Sequence, residues 1–79
     1  MKRYIIGVFD RYHLKNELKV ADATNETLAL LDVVCDKRKE IKHIVEKLLK
    51  DYKTIDELKR YFLDYWGIGV TTPYELKGN

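Results

Sequence analysis

The chain is 79 residues long, 46% hydrophobic and 35% charged, with a formal net charge of +2. That length allows one small core, the hydrophobic share excludes a disordered chain, and near-balanced charge excludes the strongly basic footprint of a dedicated nucleic-acid binder. One cysteine excludes an internal disulfide, two separated histidines argue against structural zinc, and one proline with four glycines excludes a long flexible linker.

The first residues begin basic and apolar, but Asp10 and Arg11 close the apolar run early and no small-residue cleavage site follows. No secretory leader is expected. No stretch approaches the roughly 18 apolar residues of a membrane span, so a cytoplasmic protein is expected. Residues 3–10 predict a strand, with β-branched and aromatic side chains at both parities (Tyr4, Ile6, Val8 against Ile5, Phe9). Apolar side chains on both faces imply a strand covered on both sides, either central or at an oligomer interface. Gly7 in its middle permits close approach of another element.

Residues 11–24 fit a hairpin, with Tyr12, Leu14, Leu18 and Val20 alternating around Lys15-Asn16; a helix over residues 16–23 is the rival reading. Thr24-Asn25-Glu26 reads as the next turn. Residues 27–35 form a second apolar run, helical in its first half and valine-rich in its second. Five consecutive charged residues follow it and argue for a boundary, so the run is assigned as a strand.

From residue 37 the pattern changes period. Ile41, Ile44, Val45, Leu48, Leu49 and Tyr52 share one helical face and predict a helix over 37–52, with Asp36 as its N-cap. Thr54 and Glu57 have capping-box spacing. Ile55, Leu58, Phe62, Tyr65 and Trp66 then make the buried stripe of a second helix over 55–66, ended by Gly67. Residues 68–72 predict a short edge strand before Pro73, and residues 74–79 a frayed tail. The expected whole, residues 1–79, is one compact α+β domain: a small antiparallel sheet from the N-terminal half packed against two C-terminal helices.

No arrangement of residues signals catalysis. Cys35 ends an apolar run, where a free cysteine acts as a small hydrophobe, and neither His13 nor His43 lies in an element with it. His43 falls on the polar side of the first helix. Metal-ligand spacings and phosphate-binding loops are absent from the sequence, so neither a cofactor nor a metal is expected. A non-enzyme is the expectation.

Two surfaces remain. Lys37, Arg38, Lys39 and Lys42 gather where the first helix is expected to start, in a segment whose basic residues outnumber its acids. Cations there oppose the helix dipole, so they do not serve helix stability; a solvated face threaded with Glu40, Glu46 and Asp51 is the plain reading, and phosphate contacts are the functional one. Tyr61 and Leu63 flank the buried stripe and widen the apolar arc of the second helix beyond what one partner helix covers, which makes Tyr61, Tyr65 and Trp66 the candidate anchors for a partner protein. Tyrosine and tryptophan dominate protein-binding hot spots, and Arg60 and Asp64 would supply a polar rim. With no disulfide or metal to staple so small a domain, a homo-oligomer is expected.

The profile (small, rich in lysine and tyrosine, with no site and no targeting segment) resembles accessory proteins encoded by phages and mobile elements of low-GC bacteria. That likeness is one of composition. The expected function is non-catalytic: docking on a partner protein through the aromatic arc, with inhibition as the outcome. The alternative is an oligomer that sequesters nucleotides or binds nucleic acid through the four basic residues.

Overall fold

Strand β1 (Lys2–Asp10) pairs antiparallel with β2 (Lys15–Ala23) along all nine residues, from Lys2 opposite Ala23 to Asp10 opposite Lys15. The computed structural model of the chain describes residues 1–77. The hairpin exists as expected, but its turn lies at residues 11–14 rather than at Lys15-Asn16. Asp10 sets that position: its Oδ1 accepts from the backbone N–H groups of Tyr12 (3.0 Å) and His13 (3.4 Å), closing the turn before the alternating run resumes. Leu14 completes the reversal with φ +49°.

Residues 27–35 are helical, not a strand. Helix α1 (Glu26–Lys37) starts at Asn25, whose side-chain oxygen accepts from Leu28 N–H at 2.9 Å. Its apolar run, interrupted only by Asp32, is long because the helix packs between the sheet and the segment that follows it, burying Ala29, Leu30, Leu31, Val33, Val34 and Cys35. Its solvent-facing line is only Leu28, Asp32 and Asp36, too narrow a stripe within residues 27–35 to reveal the period.

The charged run does mark a boundary, at Arg38, whose extended backbone (φ −136°, ψ 101°) ends α1. Beyond it the expected single helix is divided into a 3-10 segment, Lys39–Ile44, and helix α2 (Val45–Asp51). Asp36 lies within α1 and caps nothing after it. Lys37 therefore sits in the last turn of α1, where a cation complements the helix dipole, the reverse of the sign expected at a helix start.

Helix α3 (Ile55–Tyr61) has the full capping box. Thr54 Oγ1 accepts from Glu57 N–H (3.2 Å) and Glu57 Oε1 from Thr54 N–H (3.2 Å). Thr54→Ala should cost about 1 kcal/mol in urea unfolding, and no change in midpoint would show that the box is solvent-compensated. From Phe62 to Trp66 the helix widens into a π turn, ended by Gly67 N–H on Phe62 O. Gly67 has φ +66°, and a Cβ there would lie 2.7 Å from the Tyr12 ring, so the hairpin turn can close on it only because it is glycine.

Strands β3 (Ile68–Val70) and β4 (Tyr74–Leu76) both pair antiparallel with β1 on the side away from β2. The register shifts by one residue between them, at Thr71-Thr72-Pro73. Thr71 bridges the gap by donating its N–H to Gly7 O (2.9 Å) and accepting Gly7 N–H on Oγ1 (2.8 Å). A Cβ on Gly7 would meet Thr71 Cγ2 at 3.1 Å, so the glycine permits the close approach read from its position. Pro73 and the register shift keep this edge from templating another strand. The residues expected to fray are thus held as far as Leu76, while Gly78 and Asn79 lie outside the described residues.

The result is an α+β arrangement. Tyr4, Ile6, Val8, Ala21 and Ala23 line the inner face of a four-stranded antiparallel sheet, and Leu30, Val34, Ile41, Leu58, Phe62 and Ile68 complete the core. None of the described helices is long and apolar enough to cross a membrane.

Candidate functional site

The aromatic residues of α3 form a row. Tyr61 lies 5.2 Å from Tyr52 and 5.1 Å from Tyr65 between ring centroids, both pairs tilted, and meets Phe62 edge-on at 5.2 Å. Trp66 Nε1 donates to Tyr61 Oη at 3.0 Å. Tyr61 and Trp66 are half-buried, whereas Tyr65 is 74% exposed. Tyr65 therefore leaves the buried stripe assigned to it, and the π turn is the cause. Its i→i+5 bonding puts more residues in each turn than the α-helix, rotating Tyr65 outward relative to Phe62. Arg60 and Asp64 are exposed beside it, 3.8 Å apart. Desolvation, reinforced by the Tyr65 and Tyr61 phenols, holds the Tyr52 hydroxyl above its ordinary pKa. Tyr52 belongs to this row although its sequence position suggested only the core stripe of the preceding helix.

The four basic residues divide. Lys37 Nζ is 2.6 Å from Glu17 Oε2 and mostly buried. Arg38 clamps Asp10 through both terminal nitrogens (3.0 Å each) and lies over the Tyr12 ring, 5.5 Å from its centroid. Lys39 and Lys42 are exposed. The group read as one patch is thus half structural ion pairs and half solvated side chains.

Asp10 is the charged residue that sequence reasoning missed. It is 3% exposed and takes, besides Arg38 and the turn amides, the Nδ1 of His13 at 2.8 Å. An ionised carboxylate only accepts, so that nitrogen carries the proton. The Arg38 hydrogen bonds hold the Asp10 carboxyl far below the ordinary aspartate range against the opposing effect of burial. Its position between the strand and the turn was the only signal of this role. Cys35 is buried, and desolvation pushes its thiol up, away from the reactive thiolate. Among the described residues no cluster of three His, Cys, Asp or Glu side chains could hold a metal ion.

A second surface lies on the sheet. Its inner face is covered, but its outer face is bare, with Leu18 74%, Tyr74 69% and Val20 57% exposed, and Phe9 and Leu76 also exposed. The apolar side chains at both parities of β1 therefore have a helix cover on one side only.

Comparison of the chain with protein-family models, with curated proteins and with solved structures found no match.

Proposed function

We propose that this chain is a non-catalytic binding protein, acting in the cytoplasm as a homo-oligomer, that docks on a partner protein and inhibits it through the aromatic row of α3. One observation carries the reading: Tyr65 is 74% exposed at the end of a row of contacting rings whose other members are anchored in the fold. A large, pre-ordered aromatic side chain loses little entropy on docking, which is why such residues anchor interfaces. Tyr61 and Trp66 support it from below, and Arg60 and Asp64 flank it as the polar rim. The cytoplasmic setting, the accessory type and the inhibitory outcome rest on composition and on the lack of a recognisable catalytic motif. The nucleotide reading is less well supported, because Lys37 and Arg38 are engaged by Glu17 and Asp10.

The test is capture from host lysate with the tagged chain and with Tyr65→Ala, followed by affinity measurement on the purified pair. Tyr65→Ala should weaken binding by at least about 30-fold, the equivalent of ~2 kcal/mol, with an unchanged far-UV spectrum. Adding the chain should lower the partner's activity. Affinity should change little between about 50 and about 200 mM salt, whereas phosphate-driven binding would fall steeply. Undiminished binding by Tyr65→Ala would sink the assignment.

A further inference from the structure

The outer face of the sheet has a shape and a charge pattern that fit a second copy of this chain. The register sets its side chains in rows across three strands: Val20, Ile5 and Tyr74; then Leu18, Gly7 and Thr71; then Asn16, Phe9 and Gly69. A groove of about 490 Å³ runs along this face, lined by Gly7, Phe9, Leu18, Gly69 and Thr71 among others. Ridge and groove thus lie on the same face. In a two-fold pairing each copy offers the same patch, so Leu18 of one copy can enter the groove of the other while the reverse contact forms.

Charge favours the same occupant. Where β1 and β2 pair, the charged side chains on this face are Arg3 and Asp22, which neutralise each other in a bidentate contact (2.8 and 3.2 Å). Apposing two such faces brings no unpaired like charges together. The opposite side of β2 differs, because Glu17 and Lys19 there form an ion network with Lys37 and Asp36. The sheet dimensions support a modest interface. Three strands about 4.8 Å apart, and seven to nine residues of about 3.3 Å each, give on the order of 500 Å² per copy once side chains overhang. The total of about 1,000 Å² is the lower end of specific interfaces, so the association should depend on concentration. A domain of this size without a disulfide gains a second buried layer from the pairing.

We propose that two copies of this chain pair face to face through the outer surface of the sheet, with Leu18 seated over the partner copy's groove. This rests on the homo-oligomeric part of the reading above and is independent of the aromatic row. The test is sedimentation equilibrium of the full chain and of Leu18→Lys and Val20→Glu, up to the highest soluble concentration.

The wild type should approach twice the chain mass. Each variant should remain at the monomer mass with an unchanged far-UV spectrum, since both side chains are exposed. Tyr65→Ala should still dimerise, which separates this result from any failure of the docking reading. Amide exchange of the wild type, which needs no variant, should slow in β1 and β2 as concentration rises. A wild type that stays monomeric overturns the proposal, as does a dimer that survives both substitutions through edge-to-edge pairing of β2. Slowing confined to α3 would overturn it equally.

Discussion

Arg38→Ala is expected to lower the free energy of unfolding by about 3 kcal/mol or more, because it leaves a carboxylate buried without its cation. Asp10 is 3% exposed and accepts two hydrogen bonds from the Arg38 guanidinium. The same carboxylate closes the hairpin turn and holds His13, so the loss should also loosen residues 11–14. Surface ion pairs in this protein, such as Arg60 with Asp64, should cost little when broken. The sign of the pH effect follows from the depressed carboxyl. The stabilisation is complete above the ordinary aspartate range, near pH ~4, and is lost progressively as pH falls through and below it. In Arg38→Ala, burial acts on Asp10 unopposed by Arg38, and its protonation should begin at higher pH. Urea midpoints across the acid range for both proteins measure this, and equal midpoints at neutral pH would refute the role given to the pair.

How much of this was legible depended on whether the deciding interaction was local. The capping box at Thr54 and Glu57 joins residues three apart, and it formed as its spacing predicted. Gly67 ends the helix in the left-handed conformation for the same reason. Helix α1 was hard to read because it is buried against the sheet on one side and the 3-10 segment on another: its solvent-facing line is narrow, Leu28, Asp32 and Asp36, and one of the three is itself apolar. Asn25 was noticed as a turn residue, yet nothing local separates a turn asparagine from a cap. The run of charges from Asp36 to Glu40 correctly announced a break, and Arg38 supplies it because its side chain reaches back 28 residues to Asp10. A long-range bond of that kind leaves no periodicity behind.

The site residues show the same division. Aromatic spacing revealed that Tyr61, Tyr65 and Trp66 share one helix, but the π turn decides which ring faces solvent. Lys37 and Arg38 looked like Lys39 and Lys42 because charge alone does not report a partner on another strand. The outer sheet face was half visible, in the apolar residues at both parities of β1. Its bareness is a property of topology, since the crossing helices all lie on one side.

Phe62→Ala should be among the costliest single changes, at about 3–5 kcal/mol, because the ring is fully buried and its removal leaves a cavity. Proteins have total stabilities of only about 0.05–0.15 kcal/mol per residue, so this variant should lose a large share of the total and unfold at a much lower urea midpoint. Phe62→Leu keeps most of the volume and should fold, losing mainly the edge-on contact with Tyr61, worth about 1 kcal/mol. That contact ties the exposed row to the core. Phe62 supports Tyr61 from inside, and Tyr61 receives the Trp66 indole and lies tilted against Tyr65. The row should therefore melt with the fold and not before it. In wild-type protein, Trp66 fluorescence and far-UV dichroism should give coincident urea transitions. An earlier fluorescence transition would show that the row is a separately unfolding lip. Phe62 would then stabilise the core without ordering the surface above it, and Tyr65 would lose the pre-organisation on which its role as an anchor depends.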